Sequence, residues 1–542
     1  MGIGKRSNKI SPKDPKVTVT NQLYSPPLSS GSHSNSPFNQ KGLNPNILKK
    51  APLPDAKTPV QTDPEKLHDI PLFVLLTTYF SYSLLVFVGH VRDFFGKIFK
   101  SSEYTPYAHR NGYAPIVDGF DSMFHRRLYM RIRDCFSRPT TGVASRTVKV
   151  LERKSDDYNK TYTYTGKSIE CLNLASYNYL GFSEKEGVCA DQVIECVKQN
   201  GITSNTTRNE VGLCQFLLET EKMLASFVGK EDAIIQSQGF STNSTTIPIL
   251  VGKGSLIISD ELNHCSIVTG ARLSGANIRT FKHNDVVDLE ATLRFSISQG
   301  QPRTHRPWKK ILLIIEGIYS MEGSIPILQE IIQLKQKYKF YIYLDEAHSI
   351  GALGPRGRGT CDYLGVDPAH IDVMMGTFTK SFGAAGGYIA GSKELIDKVR
   401  ITNHNSIYAE PMQIPVLQQV NSSMRVIMGL QGGDLGQRKL EQLAFNSRYF
   451  FSELKAMGFT VTGNGDSPVI PLMLFHPSKI AAFSRECLNR GLAVVVVTYP
   501  ATPLITGRVR FCLSASHTKE DLDKALAIVS DVGDRLLLKN MF

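Results

Sequence analysis

A chain of 542 residues, 42% apolar and 20% charged, can bury a large core, which excludes a wholly disordered or fibrous protein. Its nine cysteines are scattered with no CxxC pair, which argues against a disulfide scaffold or a zinc site and for free thiols in a reducing compartment. The net charge of +13 does not point to nucleic acid, because no basic stripe with interleaved aromatic residues carries it.

Residues 1–66 hold ten Lys/Arg against four Asp/Glu and are rich in Ser, Pro and Asn. Such a segment cannot bury enough to fold and is expected to be a disordered basic leader, drawn to anionic lipid. Met1-Gly2 does not open a myristoylation site, since position 6 is Arg6. Residues 67–95 are expected to form a membrane-associated or transmembrane helix: Ile70 to Gly89 contains no charge and has the length that crosses a bilayer. Its Thr, Ser and Tyr leave open a helix lying in the interface, and basic residues on both sides leave the orientation open. Residues 96–165 are expected to be an N-terminal arm. In it the basic run from His125 to Arg133 reads as an amphipathic helix covering another surface.

From 166 to 430 short apolar runs alternate with helical periodicity. Ala233 to Ile235, Ser255 to Ser259 and Lys310 to Glu316 read as strands, and Ile327, Leu328, Ile331, Ile332 and Leu334 recur at helical spacing. This predicts an α/β fold: a large domain built on a mostly parallel sheet with helices on both faces. The run Phe340 to Leu344 delivers Asp345-Glu346-Ala347-His348 at its end, where ligands bind in such sheets. Thirty-five positions further on, Lys380 follows a second run, Ile371 to Met375, inside Gly376-Thr377-Phe378-Thr379-Lys380-Ser381-Phe382-Gly383. An amine hemmed in by small and hydroxylic residues suits a Schiff base to a phosphorylated aldehyde, and a carboxylate on a second strand suits the ring nitrogen of pyridoxal phosphate. Residues 431–542 change character: a helix over Leu440 to Met457, apolar runs Val469 to Leu474 and Leu492 to Val497, and a strand from Arg510 to Ser514 predict a smaller C-terminal α+β domain.

Longer literal strings join these features: Ser176-Tyr177-Asn178-Tyr179-Leu180-Gly181, the segment Gln301 to Lys310, Glu316 to Ser324, Asp345 to Gly354, and Pro500-Ala501-Thr502-Pro503. Over about residues 120–540 the chain resembles the α-oxoamine synthases, pyridoxal-phosphate enzymes of aminotransferase fold type I. Within that family the strings are most similar to the lysine-bearing, long-chain-base type of serine palmitoyltransferase subunit. The resemblance implies that L-serine and a long-chain acyl-CoA such as palmitoyl-CoA condense with loss of CO2 to 3-ketosphinganine. It implies pyridoxal phosphate as cofactor, with Lys380 carrying it and shuttling the Cα proton. Asp345 would pair with the ring nitrogen, His348 would reach the phenolic oxygen, and His264 would stack on the ring. Gly239, Phe240, Thr377 and Thr379 would hold the phosphate, and Arg510 and Tyr177 the substrate. Taken alone, His264 reads as a core histidine and Arg510 as a surface ion-pair partner, and the company of Lys380 and Asp345 reverses both; His517 reads as a helix-start residue.

The resemblance further implies a homologous lysine-lacking partner subunit, small regulatory subunits, and an endoplasmic reticulum membrane location with the catalytic domain in the cytoplasm. Three positions depart from the family pattern. Thr203 stands for a glycine, Leu217 for a histidine, and Glu410 for a hydroxyl that could contact phosphate across the subunit interface, where a carboxylate repels. Two alternatives stay open: another oxoamine synthase using a shorter acyl-CoA, and a non-catalytic scaffold subunit of the same complex.

Overall fold

The computed structural model describes residues 70–99, 104, 107, 109, 111–115, 119–499 and 501–540. The expected leader, 1–66, lies outside the described residues, as does Pro500.

A helix of 28 residues, Leu72–Phe99, opens the described chain and is long and apolar enough to cross a membrane. Its buried residues are Thr78, Tyr82, Gly89 and Asp93, one seam that lies against the rest of the chain. Along that seam Ser81 Oγ meets His476 Nε2 at 2.6 Å, Tyr82 OH meets Thr498 Oγ1 at 3.3 Å, and Arg126 donates to Asp93 at 2.7 Å. Phe73, Phe80, Phe87 and Phe94 recur every seven residues on the opposite side and are 64–75% exposed. The basic run 125–133 is helical as expected. Its first turns, His125–Tyr129, are wound as a π-helix between Gly119–Phe124 and Met130–Ile132.

Strands β1 (Thr140–Thr141), β2 (Thr147–Lys154) and β3 (Thr163–Asn173) form an antiparallel arm that the sequence reading left without strands. The large sheet follows: β4 (Asp232–Gln236), β5 (Leu256–Asp260), β6 (Asn277–Phe281), β7 (Ile311–Glu316), β8 (Tyr341–Asp345), β9 (Val373–Thr377) and β10 (Gly387–Gly391). Its order is β4-β10-β9-β8-β7-β5-β6. Only β10 runs against its neighbours; the other pairs are parallel, as predicted. The period of two along each strand divides the core. Ile257, Leu312, Ile314, Tyr343, Val373 and Met375 face the helices Gly239–Leu250, Cys265–Ser274 and Lys393–Thr402. The alternate residues Ile258, Leu313, Ile315, Ile342, Leu344 and Met374 join the main core on the other face.

The C-terminal part carries β11 (Val469–Phe475), β12 (Leu492–Ala493), β13 (Val495–Val497) and β14 (Gly507–Cys512). The single apolar run 492–497 divides between two sheets: β12 extends the arm beside β3, and β13 pairs with β14 in the sheet β11-β14-β13. The strand expected at 510–514 runs instead from Gly507 to Cys512.

Candidate active site

The carboxyl ends of the parallel strands gather the functional side chains, as expected for an open α/β sheet. Asp345 ends β8, Glu316 lies opposite it at the end of β7, and Thr377 ends the adjoining β9. By strand alternation these three continue the rows of Tyr343, Ile314 and Met375, so they share the face on which the Gly239 and Cys265 helices begin. Lys380 follows β9 in a loop tied by the Gly383 N–H to its own carbonyl. Its Nζ lies 5.7 Å from the centre of the Tyr177 ring. On the same ring sits Arg510, its guanidinium carbon 4.7 Å from the centre. The amine and the guanidinium therefore both lie against one aromatic ring.

Gly239 begins a 12-residue helix whose N-terminus no side chain caps. A Cβ there would come within 2.9 Å of Thr377 Oγ1, so only glycine leaves this cradle open. Thr377 Oγ1 in turn lies 2.9 Å from Thr379 Oγ1 and donates to Gly386 O at 2.8 Å. Bare backbone N–H groups at a helix start, flanked by two hydroxyls, make an anion site of the size of a phosphate. Phe240 is half exposed beside it, its ring 6.3 Å from that of His264. With the amine and the carboxylate at neighbouring strand ends, the residues present fit pyridoxal phosphate.

His264 precedes the Cys265 helix and caps it, its Nδ1 accepting from the Ser266 N–H at 3.2 Å. Burial pulls its imidazole below the ordinary value; Asp345 opposes this, and Lys380 and Arg510 reinforce it. His348 is buried, with Nδ1 2.7 Å from Tyr179 OH, and burial first, then Lys380 and Arg510, hold it far below the usual range. Burial likewise draws the Lys380 amine down to about 8, against the pull of Asp345 and Glu316. Arg510 is buried, with Nη1 3.4 Å from Ser320 O and 3.6 Å from Met321 Sδ, and its Nε has no hydrogen-bond partner among the described residues. Two residues earlier Arg508 spends its Nε on Thr506 O and its Nη1 on Met321 O and Glu322. On the same strand face Arg510 differs in that its buried Nε is unspent among the described residues.

Sequence reading missed several members. Asn243 donates to Asp345 Oδ2 at 2.7 Å, and the Ala347 N–H to Oδ1 at 2.8 Å, so both carboxylate oxygens are held. Glu316 accepts from the His264 N–H; burial, then Asp345, pushes its carboxyl far above the usual range. The signal for Glu316 was the one that found Asp345, a carboxylate closing an apolar run. Beside the site, Ser324, His283 and Asp260 form a hydrogen-bonded chain that ties the 317–326 loop to the end of β5. His517 is buried and bonded to Asn173 O at 3.0 Å, a structural residue. Of the three departures, Leu217 is packed in the core, whereas Thr203 and Glu410 are exposed.

The family model of class I and II aminotransferases matches residues 169–529. The chain is 53% identical over 467 residues to serine palmitoyltransferase 2 of Schizosaccharomyces pombe, covering 86% of this chain and 77% of that one. It is 50% identical over 478 residues to serine palmitoyltransferase 2 of Saccharomyces cerevisiae, with 88% and 85% covered. Among solved structures, serine palmitoyltransferase from S. paucimobilis with a bound PLP–myriocin aldimine superposes with a TM-score of 0.67 at 28% identity, covering 77% of this chain and 99% of that one. A high-resolution structure of SPT with the PLP internal aldimine matches with the same TM-score and identity, over 78% and 100%.

Proposed function

From the premise that this chain belongs to the serine palmitoyltransferase family of class I and II aminotransferases, we propose how its residues divide the work of joining L-serine to palmitoyl-CoA. It is a pyridoxal-phosphate-dependent acyltransferase. The observation that carries the assignment of roles is the convergence of Lys380, Asp345 and the open Gly239 helix start at one edge of the sheet. When bound, pyridoxal phosphate supplies an electron sink for a pair released at the amino-acid Cα.

Lys380 would hold the cofactor through its amine and would carry the serine Cα proton on Nζ. An amine near 8 is about a tenth free base at pH 7 and about half at pH 8, which supplies both tasks from neutral to mildly alkaline pH. Asp345 keeps the ring nitrogen charged; its two held oxygens leave it no freedom to turn away. Gly239, Thr377 and Thr379 take the phosphate, His264 packs on the ring, and His348 reaches the phenolic oxygen with Tyr179 fixing its other nitrogen. Arg510 takes the serine carboxylate, because a fork with unspent N–H donors matches two carboxylate oxygens. Tyr177, which meets both Lys380 and Arg510, would line the space between them that serine enters. Arg510→Lys removes one of two parallel bonds. The serine KM is expected to rise by about tenfold or more, equivalent to about 1.4 kcal/mol, with the acyl-CoA KM little changed. The reverse pattern would place Arg510 on the thioester side.

The decisive test of the overall reaction is product analysis with labelled serine and a panel of acyl-CoA chain lengths. Appearance of 3-ketosphinganine with release of CO2 and CoA supports the reading, and an unlabelled lipid fraction overturns it.

The helix Leu72–Phe99 serves as a membrane contact on the endoplasmic reticulum. Its seam of Thr78, Tyr82, Gly89 and Asp93 is spent on the protein over about 22 Å, at about 1.5 Å per residue, so the phenylalanine row faces outward along the body. That arrangement favours a helix lying in the interface over one crossing the bilayer. The catalytic domain then stays in the cytoplasm beside a lysine-lacking partner and small regulatory subunits. Replacing Phe73, Phe80, Phe87 and Phe94 by serine is expected to release the protein from vesicles of neutral phospholipid. Undiminished vesicle binding would move the contact elsewhere.

A further inference from the structure

Asn243 lies one turn into the Gly239 helix, 1% exposed, with no contact to solvent that could explain a polar residue there. Its amide has two N–H donors and one acceptor oxygen, and all are committed. One N–H goes to Asp345 Oδ2 at 2.7 Å and the other to Ser266 Oγ at 3.0 Å. The oxygen accepts from Tyr343 OH at 2.7 Å. Turning the amide over would set oxygen against carboxylate and leave Tyr343 facing N–H groups, so only one orientation satisfies the set.

The consequence passes on through Ser266. Having accepted from Asn243, its hydroxyl has one hydrogen left, and His264 Nδ1 is 2.8 Å away. The Ser266 backbone N–H points to the same nitrogen at 3.2 Å. A ring nitrogen that accepts from both carries no proton of its own, so the proton of the neutral imidazole sits on Nε2. We propose that Asn243 is a positioning residue of the cofactor site: one amide, locked by Tyr343, fixes both the Asp345 carboxylate and, through Ser266, the tautomer of His264.

This rests on the reading of the site as a pyridoxal-phosphate site. The charged or titratable groups around His264 are Asp345, Lys380, Arg510 and the imidazole of His348, with Glu316 on its backbone N–H and Cys265 Sγ within 3.8 Å of its ring. None of them is altered in the test. The purified full-length enzyme is titrated with pyridoxal phosphate between pH 5 and 8, and its dissociation constant followed by absorbance and fluorescence, with melting temperatures recorded alongside. Lys380, near 8, gives the profile an acid-side slope that Ser266→Ala and Tyr343→Phe leave in place. A cationic imidazole against a cationic ring weakens binding further, so the displacement of the acid limb between variant and wild type reports His264. Ser266→Ala frees Nδ1 from one donor and is expected to move the limb up by about half a unit or more, with affinity at pH 8 within about twofold of wild type. Asn243→Ala also releases Asp345, so affinity at pH 8 falls about tenfold as well. Tyr343→Phe, which keeps the packing and loses only the hydroxyl, moves the limb in the same direction by less. A limb unmoved in both Ser266→Ala and Tyr343→Phe overturns the relay, whether or not Asn243→Ala folds. Wild-type enzyme that gives no Schiff-base band with pyridoxal phosphate would instead overturn the reading of the site itself.

Discussion

Lys380→Ala is expected to lose every trace of covalently held cofactor and of condensation while remaining folded. After borohydride reduction the wild-type enzyme is expected to keep the cofactor on Lys380 and the variant to keep none, because the proposed linkage needs that amine. Retained label and full turnover in the variant, with the partner chain excluded, would sink the assignment. Stability should move in a direction that a loop lysine would not produce. The folded amine sits near 8 and the unfolded one near about 10.4. Between those values the unfolded chain binds a proton that the folded chain lacks, so stability of the cofactor-free wild type rises with pH across that window. Below about 8 the full cost of burying the charge is present. Alanine removes the group, so that rise disappears and the variant is no less stable than wild type near neutral pH. Melting curves of cofactor-free protein between pH 7 and 10 measure this. A slope that persists in Lys380→Ala would assign it to another group.

Much of this site was legible because two of its parts are local. A β-rich run that ends in a carboxylate, and a lysine in a hydroxylic loop after a second such run, announce strand ends without knowledge of the fold. What joins them was not legible. Asn243 acts through Asp345, a hundred residues away, and through Ser266 on another helix; nothing in Gly239-Phe240-Ser241-Thr242-Asn243 says which of its polar residues turns inward. The parallel sheet follows from alternation of strands and helices, whereas the reversed direction of β10 has no signature in its five residues. In the run 492–497 every residue is apolar, so periodicity cannot show that the chain leaves one sheet and enters another at Val494. The arm strand β2 buries only Val148 and Val150 among charged neighbours, too short an alternation to register. Arg508 and Arg510 are alike in sequence, and only the structure shows that the first spends its Nε and pairs with Glu322, whereas the buried Nε of the second has no partner among the described residues.

Asp345→Asn should be the most selective lesion, because it changes one charge and almost no volume. The amide can still accept at Oδ1 from the Ala347 N–H, so the loop geometry is expected to survive. At Oδ2 the new NH2 would face the Asn243 NH2, and that clash of donors turns the side chain or loses a bond. More important, an amide cannot hold the ring nitrogen protonated as a carboxylate does, and the sink for the Cα electron pair weakens accordingly. The rate at which serine Cα–H exchanges with solvent deuterium is then expected to fall about 100-fold or more, which is about 2.7 kcal/mol on the barrier. Cofactor retention should suffer much less, since Lys380 and the phosphate cradle at Gly239 and Thr377 are untouched. The serine KM should also change little, because Arg510, the proposed partner of the serine carboxylate, is untouched. Exchange at the wild-type rate in Asp345→Asn would mean that another acid, with Glu316 the nearest in register, serves the ring nitrogen.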